Sequence, residues 1–404
     1  MEKVRFRLYQ LTLLLTLISV ALVLVSSGKQ REFFYIAVYG SIIGLMLEYK
    51  KVDLRLFSIA LPVLLIGLLN LAWYFAWEYH NEGINTFSNY FGASKKLILG
   101  SFLIFYLDRF KAYIPQDKFK IGFVYATGIG FILATLYAIW QSTQGMGRVE
   151  MAINRATVSA YVYSVLSMAF IYGLYLRKTL AAYTLAGAVI LLSYVIILMT
   201  GTRAAMGLYI FIAAVLTLYH FKKIHVKFSC IFLCIVAIIV ALGYKPYIEP
   251  KLNQTTAEIS DFQWGNDNTS LGARFSMWTV GIANGAAHPL GQSMESRKQW
   301  TGKYIESHPH LKTSMQYIDI HLHNEIVEKY SLQGIPGVVL TLFFFVALIA
   351  QAIRKDNGLL LIATLFLLLY GLTDVLLLSS EAVIFYVTIF ALCPSLSRRL
   401  LPEN

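Results

Sequence analysis

Apolar runs of about twenty residues, the length that crosses a bilayer as a helix, recur along the whole 404-residue chain. They predict spans over about 11–27, 33–49, 56–78, 88–107, 121–142, 156–176, 180–199, 204–220, 228–243, 334–353, 358–378 and 382–397. Ser94-Lys95-Lys96 interrupts the fourth run and leaves room for a short span that begins only after Lys96. The ninth and tenth runs are separated by a long polar stretch, about 244–333. A connection of that length is more often folded or membrane-seated than a bare linker. Within it, 271–287 reads as an amphipathic or interfacial helix, and 316–333 as a second helix that runs into the tenth span. The expected organisation is helices one to nine over 1–243, the large loop over 244–333 and helices ten to twelve over 334–404. No internal repeat or low-complexity tract is visible.

Composition supports that pattern. The chain is 57% hydrophobic and 14% charged, where a soluble domain carries about 25% charged residues. The first apolar run follows Lys3, Arg5 and Arg7, and Gly28-Lys29-Gln30-Arg31-Glu32 after it lacks a small-residue cleavage site. An uncleaved first helix is therefore expected. The net charge of +12 does not point to nucleic acid, because the basic residues punctuate the apolar runs in short gaps. One alternating set of gaps holds 19 Lys and Arg and the other holds 7. The rule that basic loops stay cytoplasmic then puts both termini inside and the large loop outside. The fold class is an all-α polytopic membrane protein of about twelve transmembrane helices. Cys230, Cys234 and Cys393 all lie inside apolar runs, so the loop has no disulfide framework and no cysteine-based zinc site.

Three clusters carry candidate chemistry. Thr200-Gly201-Thr202-Arg203-Ala204-Ala205 forms the outer turn between spans seven and eight. Thr202 suits an N-cap and Arg203 the first helical turn. Backbone N–H groups, the helix dipole and a guanidinium together make a site for phosphate oxygens. From position alone, an interfacial Arg that snorkels to water fits equally well. In Gly272-Ala273-Arg274-Phe275-Ser276-Met277-Trp278, Arg274 and Trp278 share a helix face at i,i+4; alone this reads as a loop cation–π pair. The third cluster is His321-Leu322-His323-Asn324-Glu325, with Gly334-Ile335-Pro336-Gly337 after it. Pro336 suits a helix start and the glycines close packing. His323 is expected about two turns above the membrane on the entering helix. An imidazole, with an ordinary pKa of about 6.5 in general, is a side chain that can take a proton near neutrality, although standing alone His323 reads as an ordinary exposed His.

Other groups rank lower. His308-Pro309-His310 and His321-Leu322-His323 are metal-ligand types, but no Cys or clear carboxylate set joins them, so no metal is expected. Asp374, near the outer end of the eleventh span, is either functional or an interhelical pair. Glu48, Asp53 and Asp108 read as loop-edge residues.

Taken together, these clusters resemble the lipopolysaccharide O-antigen ligase family, enterobacterial type, and its relatives the O-antigen polymerases and protein O-oligosaccharyltransferases. The family's ligase signature is His followed by Asn, Ser or Gln, nine residues, then Gly-x-x-Gly; His323-Asn324 and Gly334-Ile335-Pro336-Gly337 match it in full. Thr200-Gly201-Thr202-Arg203-Ala204 matches the family's Thr/Ser-x-Thr/Ser-Arg-Gly/Ala turn, and Arg274 with Trp278 its Arg-x-x-x-Trp. His288-Pro289-Leu290-Gly291 is also similar to a family segment. The motifs cover about 195–350 and the topology the whole chain.

The resemblance implies a GT-C-like inverting glycosyltransferase without cofactor or metal. Its donor would be an O-antigen glycan on undecaprenyl pyrophosphate. Its acceptor would be a sugar hydroxyl of the lipid A–core oligosaccharide. Both substrates would be reached from the lipid at the periplasmic face of the bacterial inner membrane. It gives His323 the role of general base and Arg203 and Arg274 that of pyrophosphate ligands, with Thr202, Trp278, Asn324, Gly334 and Gly337 in support. A sister enzyme would use the same donor with another acceptor. A twelve-helix transporter or flippase is a distant reading, since no matching halves are visible and the loop follows span nine.

Overall fold

The structure is a computed structural model that describes residues 2–51, 59–78, 84, 86–145, 147–220 and 244–397. The ninth predicted span, with Cys230 and Cys234, lies outside them. The described residues are mostly helical, with no strand among them. In chain order the helices of the first part are α1 (Glu2–Leu22), α2 (Ser27–Leu47), α3 (Ala60–Ala76), α4 (Phe87–Arg109), α5 (Gln116–Thr143), α6 (Ala156–Tyr175), α7 (Leu180–Thr200) and α8 (Arg203–His220). The loop contributes α9 (Glu249–Gln263), α10 (Ser270–Ala287) and α11 (Met294–Ser307). The last three are α12 (Glu325–Arg354), α13 (Gly358–Gly371) and α14 (Ser380–Leu392). Six of them, α1, α4, α5, α6, α7 and α12, are long and apolar enough to cross a membrane, and α3, α8, α13 and α14 are shorter apolar helices. The chain is a multi-pass membrane protein.

The centre of the bundle is α6, where every residue from Val158 to Tyr175 is buried. A helix apolar on all sides can only sit among other helices or in lipid, and α6 packs against α5, α7, α8 and α13. Contrast α12, which leaves Ile335, Val339, Leu342 and Val346 exposed at helical spacing. In a bilayer such a stripe faces acyl chains.

Two expectations about helices are corrected. Ser94-Lys95-Lys96 does not shorten the fourth span, because α4 runs unbroken from Phe87 to Arg109. The polar atoms are satisfied locally: Ser94 Oγ donates to the Tyr90 carbonyl at 2.6 Å and Lys96 Nζ to the Gly92 carbonyl at 3.0 Å. The Lys95 ammonium lies 5.9 Å from the centre of the Tyr35 ring. Nor is 316–333 one helix. Residues Pro309–Gln316 form a 3-10 turn, and α12 begins only at Glu325. Asn324 makes that start, its Oδ1 accepting from the N–H groups of Ile326 and Val327 at 3.0 and 3.1 Å. His323 therefore precedes the helix.

The loop folds as a helical cap. Buried Asp267, between α9 and α10, accepts from Ser276 Oγ at 3.0 Å and from the Thr313 N–H and hydroxyl, each at 2.7 Å. The cap is hinged to the membrane part at Gly334, where α12 breaks with φ 62° and ψ −152°. The Ile335 N–H leaves the helix and donates to the Pro289 carbonyl at 2.8 Å. The freed Ser331 carbonyl accepts from Gln292 Nε2 at 2.8 Å, and the Leu332 carbonyl accepts from the Gln292 N–H at 2.9 Å and from Trp73 Nε1 at 2.8 Å. A break in a membrane helix survives when its backbone groups find such partners. Gly334 and Gly337 thus have steric roles. A Cβ on Gly334 would lie 2.2 Å from the Pro289 carbonyl oxygen, and one on Gly337 would lie 2.7 Å from the Lys329 carbonyl oxygen. Gly334→Ala should lose at least about 1–3 kcal/mol from the backbone conformation alone. A lower thermal midpoint of the detergent-solubilised protein would show it.

Candidate active site

The first part of the site is a cavity lined by several cations. Helix α7 ends at Gly201, whose φ of 63° lets its N–H turn back to the Leu198 carbonyl at 3.0 Å. The turn delivers Arg203 as the first residue of α8. Arg148 crosses from the α5–α6 connection to hold this turn, Nε donating to the Thr200 carbonyl at 2.7 Å and Nη2 to Thr202 Oγ1 at 3.2 Å. A cation against the last carbonyls of a helix is favourable. The Thr202 hydroxyl, at the expected N-cap position, is thus engaged by Arg148. A cavity of about 600 Å³ opens here, lined by Tyr161, Thr202 and the cations Arg148, Arg203, Lys251 and Arg274. Two arginines far apart in sequence, Arg203 and Arg274, therefore line one cavity.

The two differ in engagement. Arg203 makes a bidentate pair with Glu258 at 2.9 and 3.1 Å and also donates to Thr255 Oγ1 at 3.1 Å. Arg274 has no hydrogen bond or ion pair among the described residues. The expected stacking of Arg274 on Trp278 is not formed. Trp278 turns edge-on to Phe275 at 5.7 Å and packs against the buried cluster of Ala273, Met277, Ile318 and Leu322. Its role is to seat α10 on the segment that carries His323.

The second part is a His–Asp cluster. His323 has a φ of 48°, a left-handed conformation that His tolerates better than most residues. Its Nδ1 lies 3.4 Å from Asp374 Oδ1, and His321 Nε2 lies 3.8 Å from the same oxygen. At 3.4 Å the His323 contact is an ion-pair distance without good hydrogen-bond geometry, and Nδ1 has no hydrogen-bond partner. Asn324 holds the segment in place, its Nδ2 donating to the Leu372 carbonyl at 3.1 Å. Asp374 is not inside a continuous span, as 358–378 had suggested. Helix α13 stops at Gly371, because side chains capture the backbone beyond it. Asp374 Oδ1 accepts from the Val375 N–H at 2.8 Å and Glu325 Oε2 from the Leu377 N–H at 3.0 Å. The three donor atoms of His321, His323 and Asp374 lie within 4.8 Å of one another, a set able to hold a cation.

Burial pushes the His321 imidazole down to about 4, with His323 adding to the effect and Asp374 opposing it. The His323 N–H donates to His321 Nδ1 at 3.3 Å, which assigns the His321 proton to Nε2, toward Asp374. A depressed His value favours the neutral form in the folded state, so its stabilisation is complete above the ordinary value near 6.5. It is lost as pH falls toward 4. Thermal midpoints should drop across that window, and His321→Asn should flatten the drop.

Tyr161 joins the two parts. It lines the cavity, its hydroxyl lies 3.0 Å from Thr373 Oγ1, and it stacks on Tyr370 at 3.9 Å. Sequence reasoning did not single out Arg148, Lys251, Glu258 or Tyr161. Arg148 had a readable signal, since it is one of the few basic residues in the gaps poor in Lys and Arg.

Comparison with known proteins bears on this site. Residues 186–342 match the family model described as O-antigen ligase. That stretch contains Arg203, Arg274 and His323, while Arg148 and Asp374 lie outside it. The chain is also similar to a protein named O-antigen ligase from Escherichia coli (strain K12), 28% identical over 401 residues, which cover 96% of this chain and 93% of that one. It is 27% identical over 214 residues to an uncharacterized protein of Haemophilus influenzae, 52% of this chain and 51% of that one.

Proposed function

We propose that this chain, whose residues 186–342 match the family model described as O-antigen ligase, transfers a glycan from undecaprenyl pyrophosphate to a sugar hydroxyl of lipid A–core. The observation that carries the reading is the cavity shared by Arg203 and Arg274, joined through Tyr161 to the His323–Asp374 pair. A diphosphate leaving group is already a weak base. It needs cations where charge develops more than it needs an acid, and Arg203, Arg274 and Arg148 supply them. With Nδ1 turned to Asp374, His323 has Nε2 left to take the acceptor proton. The acceptor oxygen bonds to the anomeric carbon as the carbon–oxygen bond to phosphate breaks. The electron pair leaves on the diphosphate, and in-line attack inverts the centre. Asp374 stabilises the imidazolium that forms, so we assign it a positioning role.

The reading includes twelve spans with cytoplasmic termini, a GT-C-like arrangement and the large loop over 244–333 on the periplasmic face of the inner membrane. The basic-residue asymmetry supports that orientation. Membrane lipids surround the exposed stripe of α12, and both lipid-borne substrates would arrive from that medium.

The test is reconstitution. Purified protein in detergent, given an undecaprenyl-diphosphate-linked glycan and lipid A–core, should produce glycan-bearing lipid A–core on a gel. Transfer should be unchanged by a chelator such as EDTA. Loss of transfer with EDTA, restored by a divalent cation, would instead make His321, His323 and Asp374 metal ligands. Elongation of the lipid-linked glycan with lipid A–core untouched would point to a polymerase, and labelled protein to a protein glycosyltransferase.

A further inference from the structure

We propose that Glu258 is a positioning residue that sets the spacing of the two clamp arginines, an inference that rests on the diphosphate reading of the cavity. Its carboxylate is a four-way junction. Oε1 accepts from Arg203 Nη2 at 2.9 Å and Gln254 Nε2 at 2.7 Å. Oε2 accepts from Arg203 Nη1 and from the Leu271 N–H, both at 3.1 Å. Leu271 lies in the first turn of α10, one helical turn before Arg274. One side chain therefore ties the α7–α8 turn, α9 and the start of α10, the elements that deliver Arg203 and Arg274.

Three observations favour positioning over two simpler roles, competition with the anion and plain support of the fold. The Glu258 side chain is only 8% exposed and its oxygens are fully engaged, so it is fixed rather than poised to leave. Burial opposes its charge, but the hydrogen bonds and charge of Arg203 outweigh burial and hold the carboxyl below its ordinary range. Finally, the pair occupies Arg203 Nη1 and one Nη2 hydrogen, with Thr255 taking the other Nη1 hydrogen. A guanidinium has five N–H donors, so Nε and the second Nη2 hydrogen remain as a side-on fork that suits two phosphate oxygens. Diphosphate can bind without displacing Glu258. On the same face of α9, Lys251 and Gln254 line the cavity.

The probe is inorganic pyrophosphate, titrated calorimetrically into the full-length protein in detergent. Wild type should bind it and Arg203→Ala should not. Glu258→Gln keeps the shape but offers one acceptor oxygen and an NH2 to four donors, and it should weaken binding at least tenfold. Glu258→Asp, which keeps the charge on a shorter stem, should fall between. Arg203→Ala should cost far less affinity in the Glu258→Gln background than in wild type, a coupling that mere support of the fold would not produce. Wild-type affinity in a folded Glu258→Gln protein overturns the proposal. Tighter binding does too, since it would make Glu258 a competitor. If Glu258→Gln does not fold, Glu258→Asp carries the same two outcomes. Pyrophosphate binding needs no glycan, so failure of transfer by the wild type would end the ligase reading while this result stood.

Discussion

His323→Gln should reduce glycan transfer by about 10²–10⁴-fold, the range for loss of a positioned general base. Glutamine keeps the size and one hydrogen-bonding edge but cannot take the acceptor proton. Three features make the expectation specific to His323 and not to its neighbour. His323 alone approaches Asp374 within 3.4 Å. His321 is pushed down to about 4 and its Nδ1 is used by the His323 N–H, so it is a poor proton acceptor near neutrality. Asn324 pins the His323 backbone to Leu372, two residues from Asp374. Pyrophosphate binding should be unaffected in His323→Gln, because the cations lie in the other half of the site. Transfer by His323→Gln at the wild-type rate would remove the base assignment. Asp374→Asn should lower the turnover less than His323→Gln, since it removes the orienting charge and leaves the base.

Breaking the buried pair of Arg297 and Glu328 should cost about 3–5 kcal/mol of stability, as loss of one partner leaves a buried charge uncompensated. Both side chains are fully buried at 3.0 Å. Arg297 also donates to Ser331 Oγ at 3.2 Å and to the Ile318 carbonyl. Glu328 accepts from the Tyr90 hydroxyl and from the Leu322 N–H, the latter at 2.8 Å. This network bolts α11 and α12 of the cap side to α4 of the bundle, and it fixes the residue next to His323. Arg297→Leu should therefore lower both the thermal midpoint and the transfer rate. The double variant Arg297→Leu with Glu328→Gln should recover much of the stability, because no lone charge remains. Equal midpoints for wild type and Arg297→Leu would show that the network is not what holds the cap.

Where the sequence was readable, the reason is periodicity. Span placement followed from apolar runs, and the observed helices agree with most of them within several residues. The helix expected at 271–287 is α10, Ser270–Ala287. The signature glycines were legible as a motif, while the reason glycine is needed at 334, a close approach to the distant Pro289 carbonyl, was not. Arg203, Arg274 and His323 could be singled out because each lies in a short motif with a chemical purpose.

What the sequence could not supply was adjacency. The Lys pair inside α4, the late start of α12 and the early stop of α13 each depend on which distant group takes a backbone or side-chain proton. Arg203 reads from its motif as a phosphate ligand or an interfacial Arg, and its pairing with Glu258, 55 residues on, leaves no trace in local pattern. Arg148 reaches the turn at 200–202 from 52 residues away, and Asp374 reaches His323 from the far side of α12. By itself, the sequence determined an all-helical multi-pass chain and which side chains had chemistry to offer. Tertiary structure alone decided that two arginines line one cavity, that His323 meets an acid, and that a single carboxylate joins Arg203 to the first turn of the helix that carries Arg274. The physical reason is that helix formation is read from spacing a few residues long, while charge pairing depends on distances through space that the folded backbone creates.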